Sequence, residues 1–137
     1  MHASEPLSFL RNVLYLDALT CFAFGALLSL GAAPLASAMQ VPEALLFYAG
    51  VSLFPIAAFM AIVGKRAAAT ASMVGIVVAG NLLWVAASLW LLVSGSIAPN
   101  TLGTAFIALQ AAAVAGLTAL EVRGIFSVRR SPAVPMA

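Results

Sequence analysis

Residues 72–93 read SMVGIVVAGNLLWVAASLWLLV, a run of 22 residues without a charged side chain. This length is close to the roughly 20 residues that a helix needs to cross the hydrocarbon core of a bilayer. Apolar side chains cover the whole circumference of such a helix, so it has no polar face to turn toward water. The segment is therefore predicted to be a transmembrane helix.

Three further apolar runs accompany this one, and the predicted spans cover about residues 13–33, 44–63, 71–93 and 102–120. Hydrophobic residues make up 64% of the 137-residue chain and charged residues 7%, against roughly a quarter charged in soluble domains. Soluble, disordered, collagen-like and disulfide-rich classes are excluded, and the period-two alternation of a β-barrel is absent. We predict an all-α membrane protein, a four-helix up-down-up-down bundle with consecutive spans as antiparallel neighbours.

All six cationic side chains flank the same ends of the predicted spans: Arg11, Lys65, Arg66, Arg123, Arg129 and Arg130. The other two loops, 34–43 and 94–100, contain no Lys or Arg. The positive-inside rule therefore predicts that both termini are cytoplasmic. Of these cations, Lys65, Arg66, Arg129 and Arg130 are expected to meet lipid headgroups. A net charge of +2 without a basic stripe argues against nucleic acid as a partner.

The chain is interpreted as one domain with short tails: a cytoplasmic N-terminus over 1–11, the four-helix domain over 12–124 and a flexible cytoplasmic tail over 125–137. Residues 36–38, Ala-Ser-Ala, resemble a signal-peptidase site after the first apolar run. That run is longer than a usual signal and contains Asp17, and cleavage would put Lys65 and Arg66 opposite the C-terminal arginines. Four spans are therefore preferred.

Asp17 is the most informative polar residue, because an ionisable group in hydrocarbon costs a few kcal/mol or more unless it faces protein or water. One interpretation is a proton or cation site near the cytoplasmic boundary. The other is a carboxyl group that is hydrogen-bonded to a neighbouring helix or extends toward Arg11 and the headgroups. Both stay open.

Three further polar residues in the later spans are candidates for an intramembrane site: Asn81, Gln110 and Glu121. Asn81 is predicted near the midplane, where its amide needs a partner, and Gln110 is the expected one. Glu121 is predicted to form a boundary ion pair with Arg123.

Small residues predict close helix packing. Gly25 belongs to a small and polar stripe on the first helix, and Ala108, Ala112 and Gly116 repeat every four residues on the last. The partner of the second stripe is either another span or a second subunit. A shift of 64 residues also aligns Asp17 with Asn81, which suggests two duplicated hairpins, although chance matching of apolar segments explains it equally well.

Catalytic patterns are missing from the sequence. It has one histidine, His2, one cysteine, Cys21, and neither a phosphate-binding loop nor a metal-ligand cluster. We therefore expect no enzyme, no cofactor and no metal.

Three segments carry a family resemblance: RNVLYLDAL at 11–19, NLLWVAASLWLLVSG at 81–95 and APNTLGTAFIALQAAAVAGLTALE at 98–121. Together they resemble small four-span integral membrane proteins of bacteria. The resemblance implies four helices in the bacterial inner membrane and no known activity. Small multidrug transporters have the same span number, but their signature is a glutamate deep in the first helix, where this chain has Asp17 in surroundings that do not match.

Two functions from different classes follow from these patterns. The first is an accessory or structural membrane subunit that acts by helix packing, as a homo-oligomer or in a larger membrane complex. The alternative is a small oligomeric transporter or channel for protons, cations or a small amphiphile that uses Asp17. A dry, helix-bound Asp17 favours the first, and an Asp17 that borders a cavity favours the second.

Overall fold

A computed structural model describes residues 4–66 and 71–130. Within these ranges the chain forms five helices: α1 Ser4–Leu30, α2 Ala32–Met39, α3 Glu43–Lys65, α4 Ala71–Val93 and α5 Thr101–Arg130. The four long helices are long and apolar enough to cross a membrane. The predicted all-α, four-span fold is confirmed.

The ends of α3 and α4 lie within about two residues of the predicted spans, but α1 and α5 are longer than predicted. Residues 4–11 and 125–130 are helical, so α1 and α5 continue into the segments that were assigned to the two tails; residues 1–3 and 131–137 lie outside the described part. Glu5 in the first turn of α1, and Arg129 and Arg130 in the last turn of α5, suit the helix dipole and let both helices continue beyond the apolar run.

The loop predicted over 34–43 is largely the short helix α2. It ends at Gln40, whose φ of 53° is the left-handed conformation that commonly terminates helices. Across the bundle, Asn100 fixes this segment to the start of α5. Its Nδ2 donates to the carbonyl oxygen of Ala38 at 2.7 Å, and its Oδ1 accepts from the backbone N–H of Gly103 at 2.9 Å. Asn100 is thus the N-cap of α5.

The long helices follow the order α3, α1, α5, α4 around the bundle. The helix α1 packs along both α3 and α5, and α4 packs along α5, whereas α3 and α4 touch only slightly. Consecutive spans are therefore neighbours, as predicted, and the contact between α3 and α4 is the lightest of the three. Gly124 admits Leu10 against α5, whereas Gly75 and Gly80 on α4 have open space where a side chain would start. A gap, which we call the seam, therefore remains between α3 and α4.

Glycines set the distance between α1 and α3. A Cβ built on Gly50 would lie 2.6 Å from the backbone nitrogen of Ser29 and 2.9 Å from the carbonyl oxygen of Gly25. A Cβ on Gly25 would in turn lie 3.0 Å from the carbonyl oxygen of Gly50. The two backbones are therefore in direct contact, which only glycine permits.

The cationic ends of the helices lie together. Leu10 contacts Gly124, and the ring of Tyr15 lies against Gly64, so the start of α1, the end of α3 and the last third of α5 share one end of the bundle. Lys65, Arg66, Arg129 and Arg130 are exposed there, as expected of side chains that meet headgroups. We call this the cationic end.

Two apolar clusters form the core. The one nearer the cationic end comprises Leu10, Leu14, Ala18, Met60, Val63, Val74 and Val77. The one nearer the opposite end comprises Leu28, Ala32, Met39, Val41, Leu46, Leu53 and Ile107. The buried polar side chains lie at the levels where these clusters meet.

Candidate functional site

Three polar residues lie deep along their helices. Asp17 is the central residue of α1, Asn81 is next to the centre of α4, and Glu121 lies nine residues before the described end of α5. At 1.5 Å per residue these positions are roughly 14 to 20 Å from the cationic ends of their helices. Asp17 is level with Asn81, near the centre of α4, and its distance from the membrane boundary stays a prediction.

The amide of Asn81 joins the two acids. Its Nδ2 donates to Oδ2 of Asp17 at 2.8 Å and to Oε2 of Glu121 at 3.2 Å. The three side chains are 5%, 1% and 0% exposed, respectively. A primary amide has two N–H groups, so both are used. The two carboxylate oxygens share one nitrogen and therefore lie at most about 6 Å apart. We call these three residues the acid cluster.

The predicted pair of Asn81 and Gln110 is not formed. Gln110 accepts instead from Nε1 of Trp84 at 2.8 Å and donates to Oγ of Ser88 at 2.8 Å. The reason is depth. Gln110 and Glu121 are eleven residues apart on one face of α5, about three turns, so only Glu121 is level with Asn81.

The predicted ion pair between Glu121 and Arg123 is also wrong. Glu121 faces the bundle interior, where its hydrogen bond comes from Asn81, while Arg123 is exposed. Side chains two positions apart on a helix point in nearly opposite directions, so the side chains of Glu121 and Arg123 cannot meet.

The acid cluster has unused acceptor capacity. Oε1 of Glu121 is buried without a hydrogen-bond partner. Oδ1 of Asp17 is approached by the thiol of Cys21 at 3.8 Å, which is a weak interaction. None of the described hydrogen-bond partners of the two carboxyl groups is a cation. A proton or a small cation would supply what these oxygens lack.

Two cavities reach the acid cluster. The larger has a volume of about 270 Å³, lies among α1, α3, α4 and α5, and has Asp17 in its wall. The smaller has about 180 Å³, lies at the seam between α3 and α4, and has Asn81 in its wall. Side chains of Cys21, Leu53, Trp84 and Val114 border both cavities. Asp17 is therefore buried, yet it borders open space inside the bundle.

The small residues on α1 and α5 that were predicted to pack against other helices have different surroundings. Gly25 is buried against α3, whereas Ala108 and Ala112 are exposed and a Cβ on Gly116 would meet nothing within 4 Å. The stripe on α5 thus has no partner among the described residues of this chain. Within the same residues, no group of three His, Cys, Asp or Glu side chains is arranged to hold a metal ion.

Sequence reasoning missed the meeting of Asp17, Asn81 and Glu121, and it missed Gly50 and Asn100. One available signal was the 64-residue alignment, which matched Asp17 with Asn81. Equivalent residues close to an axis between two repeats face each other, so the alignment itself suggested this contact. Compared with known proteins, the chain matches no family model, no curated protein and no solved structure.

Proposed function

We propose that this protein is a small membrane transporter or channel in which the acid cluster binds a proton or a monovalent cation midway across the bilayer. The observation that carries the proposal is the pair of buried carboxyl groups on one amide, with Oε1 of Glu121 unpartnered. A structural clasp between two helices needs one donor and one acceptor. A second acid extends the contact to α5, but it adds a second buried ionisable group and raises the cost of burial.

The acid cluster can exist in two charge states, empty or occupied by a proton or a monovalent cation. Two carboxylates at most about 6 Å apart repel each other by at least about 3 kcal/mol at an effective dielectric constant of 20. A proton or a monovalent cation that binds between Asp17 and Glu121 removes this repulsion. Occupied and empty clusters therefore differ in charge, and a difference in charge is what couples an ion to a change of conformation.

Orientation and location complete the proposal. The positive-inside rule puts the cationic end, and with it both termini, in the cytoplasm. The resemblance to small four-span proteins of bacteria supports the bacterial inner membrane. The proposed role requires no catalysis, no cofactor and no nucleic acid.

The test is a flux assay on purified protein in proteoliposomes, with gradients of protons, sodium or potassium and a trapped indicator for each ion. Asp17→Asn and Glu121→Gln each remove one ionisable group with almost no change of shape. Glu43→Gln is the matched control, because Glu43 is an exposed acid at the start of α3. We expect flux to be lost in both cluster variants and kept in the control. Flux that is equal in all four proteins, or no flux from folded wild type under any gradient, would overturn the proposal.

A second candidate function is that of an accessory subunit. It is favoured by the exposed stripe of Ala108, Ala112 and Gly116, which is suited to close approach by another transmembrane helix. Ala112→Ile and Gly116→Ile would block such an approach without touching the bundle interior. If the protein acts by packing, these variants dissociate an oligomer or complex that Asp17→Asn leaves intact, as measured by native mass spectrometry from mild detergent.

A further inference from the structure

The larger cavity has an apolar body. Phe24 and Phe106 lie in its wall with ring centroids 6.0 Å apart, and most of the remaining wall is aliphatic. Its volume of about 270 Å³ exceeds the roughly 150 Å³ in which an engineered apolar cavity holds benzene. The cavity therefore has room for a ring and a short chain.

Most polar groups of the wall are already paired with each other. The indole N–H of Trp84 donates to Gln110, and the amide of Gln110 donates to Ser88 and to the carbonyl oxygen of Ile107. The hydroxyl of Ser88 donates to the carbonyl oxygen of Trp84, and that of Thr20 to the carbonyl oxygen of Asp17. These donors are not free for a ligand.

Asp17 is the exception in this wall. Its Oδ2 is held by Asn81, but its Oδ1 has only the thiol of Cys21 at 3.8 Å. Among the described residues, no Lys, Arg or His lines the cavity. The wall of the cavity is therefore almost wholly apolar, and Asp17 is the single acid among its described residues, with a carboxylate that only accepts hydrogen bonds. An anion has no partner there.

The geometry points to an amphiphilic amine as the ligand of this cavity: an apolar body among Phe24, Phe106 and the aliphatic wall, and a protonated nitrogen that donates to Oδ1 of Asp17. This inference deepens the proposed function and rests on it for the role of Asp17 in transport. An ammonium group and a proton then compete for the same carboxylate. Such competition makes the exchange of one for the other possible.

Binding is measured with three probes that share a body and differ in the head group: 4-phenylbutylamine, 4-phenylbutanol and 4-phenylbutyrate. The protein is placed in nanodiscs of zwitterionic lipid, so that lipid charge attracts none of the probes. Trp90→Phe leaves Trp84, in the cavity wall, as the single tryptophan and fluorescent reporter. Protein-free nanodiscs correct for partitioning of each probe into the bilayer.

We expect the amine to bind about tenfold more tightly than the alcohol, because a hydrogen bond between charged groups replaces a neutral one, and the carboxylate to bind most weakly. Asp17→Asn should abolish the preference for the amine and retain binding of the alcohol, which also shows that the variant is folded. Ala49→Phe, which fills the cavity from α3, should weaken all three probes. Glu43→Gln should change none of them. Equal affinity of the three probes for wild type, or a preference that survives Asp17→Asn, would overturn the inference.

The binding and flux assays separate the two proposals. An amine preference without flux contradicts the transporter and keeps the ligand site. Flux of protons or metal ions without an amine preference keeps the transporter and contradicts this ligand class.

Discussion

Asp17 and Asn81 form a 2.8 Å hydrogen bond although their helices, α1 and α4, do not pack against each other. The two side chains meet across the interior of the bundle. One belongs to the hairpin of α1 and α3 and the other to the hairpin of α4 and α5. This bond and the link through Glu121 add polar contacts between the hairpins to their apolar packing.

The bond between Asp17 and Asn81 should appear as a coupling energy. In a cycle of Asp17→Ala, Asn81→Ala and the double variant, we expect a coupling of about 1 kcal/mol, the usual size for a side-chain hydrogen bond in a membrane protein. Reversible unfolding in mixed detergent micelles measures it. The control pair is Asp17→Ala with Asn100→Ala, which lie at different levels of the bundle and should add within about 0.5 kcal/mol. A coupling no larger than that of the control pair would contradict the structure.

The substitution of glycine by alanine is expected to have opposite effects on stability at Gly50 and at Gly116. Gly50→Ala places a methyl group 2.6 Å from the backbone nitrogen of Ser29, so α1 and α3 must separate, and we expect a loss of about 1–3 kcal/mol in the free energy of unfolding. Gly116→Ala meets nothing and improves helix propensity, so stability should stay equal or rise by up to about 1 kcal/mol. The same unfolding assay tests both, and equal effects would argue against the close contact of α1 with α3.

Gln110→Leu tests the network beside the larger cavity. The substitution removes the acceptor of the Trp84 indole and the donor to Ser88. We expect a loss of about 1–2 kcal/mol in stability and a shift of Trp84 emission to shorter wavelength in the Trp90→Phe background, since the indole loses a polar partner. Leu109→Ala is a suitable control because Leu109 is exposed on the same helix. Unchanged emission in Gln110→Leu would show that the indole has another partner.

Asn100→Ala should loosen the start of α5. The variant loses the cap on Gly103 and the hydrogen bond to Ala38, and we expect a loss of about 1–2 kcal/mol together with faster amide hydrogen exchange in the first turn of α5. Ser94→Ala, which loses only the exposed contact with Ser96, should have little effect. Amide hydrogen exchange at Gly103 that is as slow in Asn100→Ala as in wild type would show that Asn100 does not cap α5.

Topology is tested by labelling. In a Cys21→Ala background, a membrane-impermeant maleimide added outside inverted and right-side-out vesicles reports the side of a new cysteine. We expect Ser96→Cys to react only from the periplasmic side and Arg130→Cys only from the cytoplasmic side. The reverse pattern would place the cationic end outside, and a mixture would indicate dual insertion.

The apolar runs were sufficient to predict the four spans, and the ends of α3 and α4 were close because charged or turn-forming residues bound these runs directly. The lengths of α1 and α5 were not predictable from hydropathy, since the turns around Glu5 and Arg129 are polar and helical at once. That error placed Gln110 too near the level of Asn81, because α5 continues for ten residues beyond its predicted span. The assignment of Asn81 to the wrong partner followed directly from it.

The order and the rotation of the helices in the bundle could not be predicted from the sequence either. Both Asn81 and Glu121 were recognised as polar residues inside spans, yet their meeting depends on which helices are adjacent and how each is rotated. Local sequence does not encode this order when apolar side chains surround every helix. The contact of Gly25 with Gly50 shows the same limit: each glycine is unremarkable alone, and only the crossing of α1 and α3 makes them a pair.

The position of Asp17 and Asn81 midway along their helices also determines how the membrane potential would act on an ion bound there. The membrane potential acts on one elementary charge with about 2.3 kcal/mol per 100 mV over the full thickness of the bilayer. On the proposed function, a cation that reaches Asp17 from either face has crossed about half of that field, so its binding free energy changes by about 1.2 kcal/mol per 100 mV. At a membrane potential of about 100 mV, negative inside, this is about a sevenfold change in affinity, which favours a cation that enters from outside and disfavours one that enters from the cytoplasm. On the proposed function, the depth of the site therefore makes cation binding depend on the membrane potential as well as on concentration.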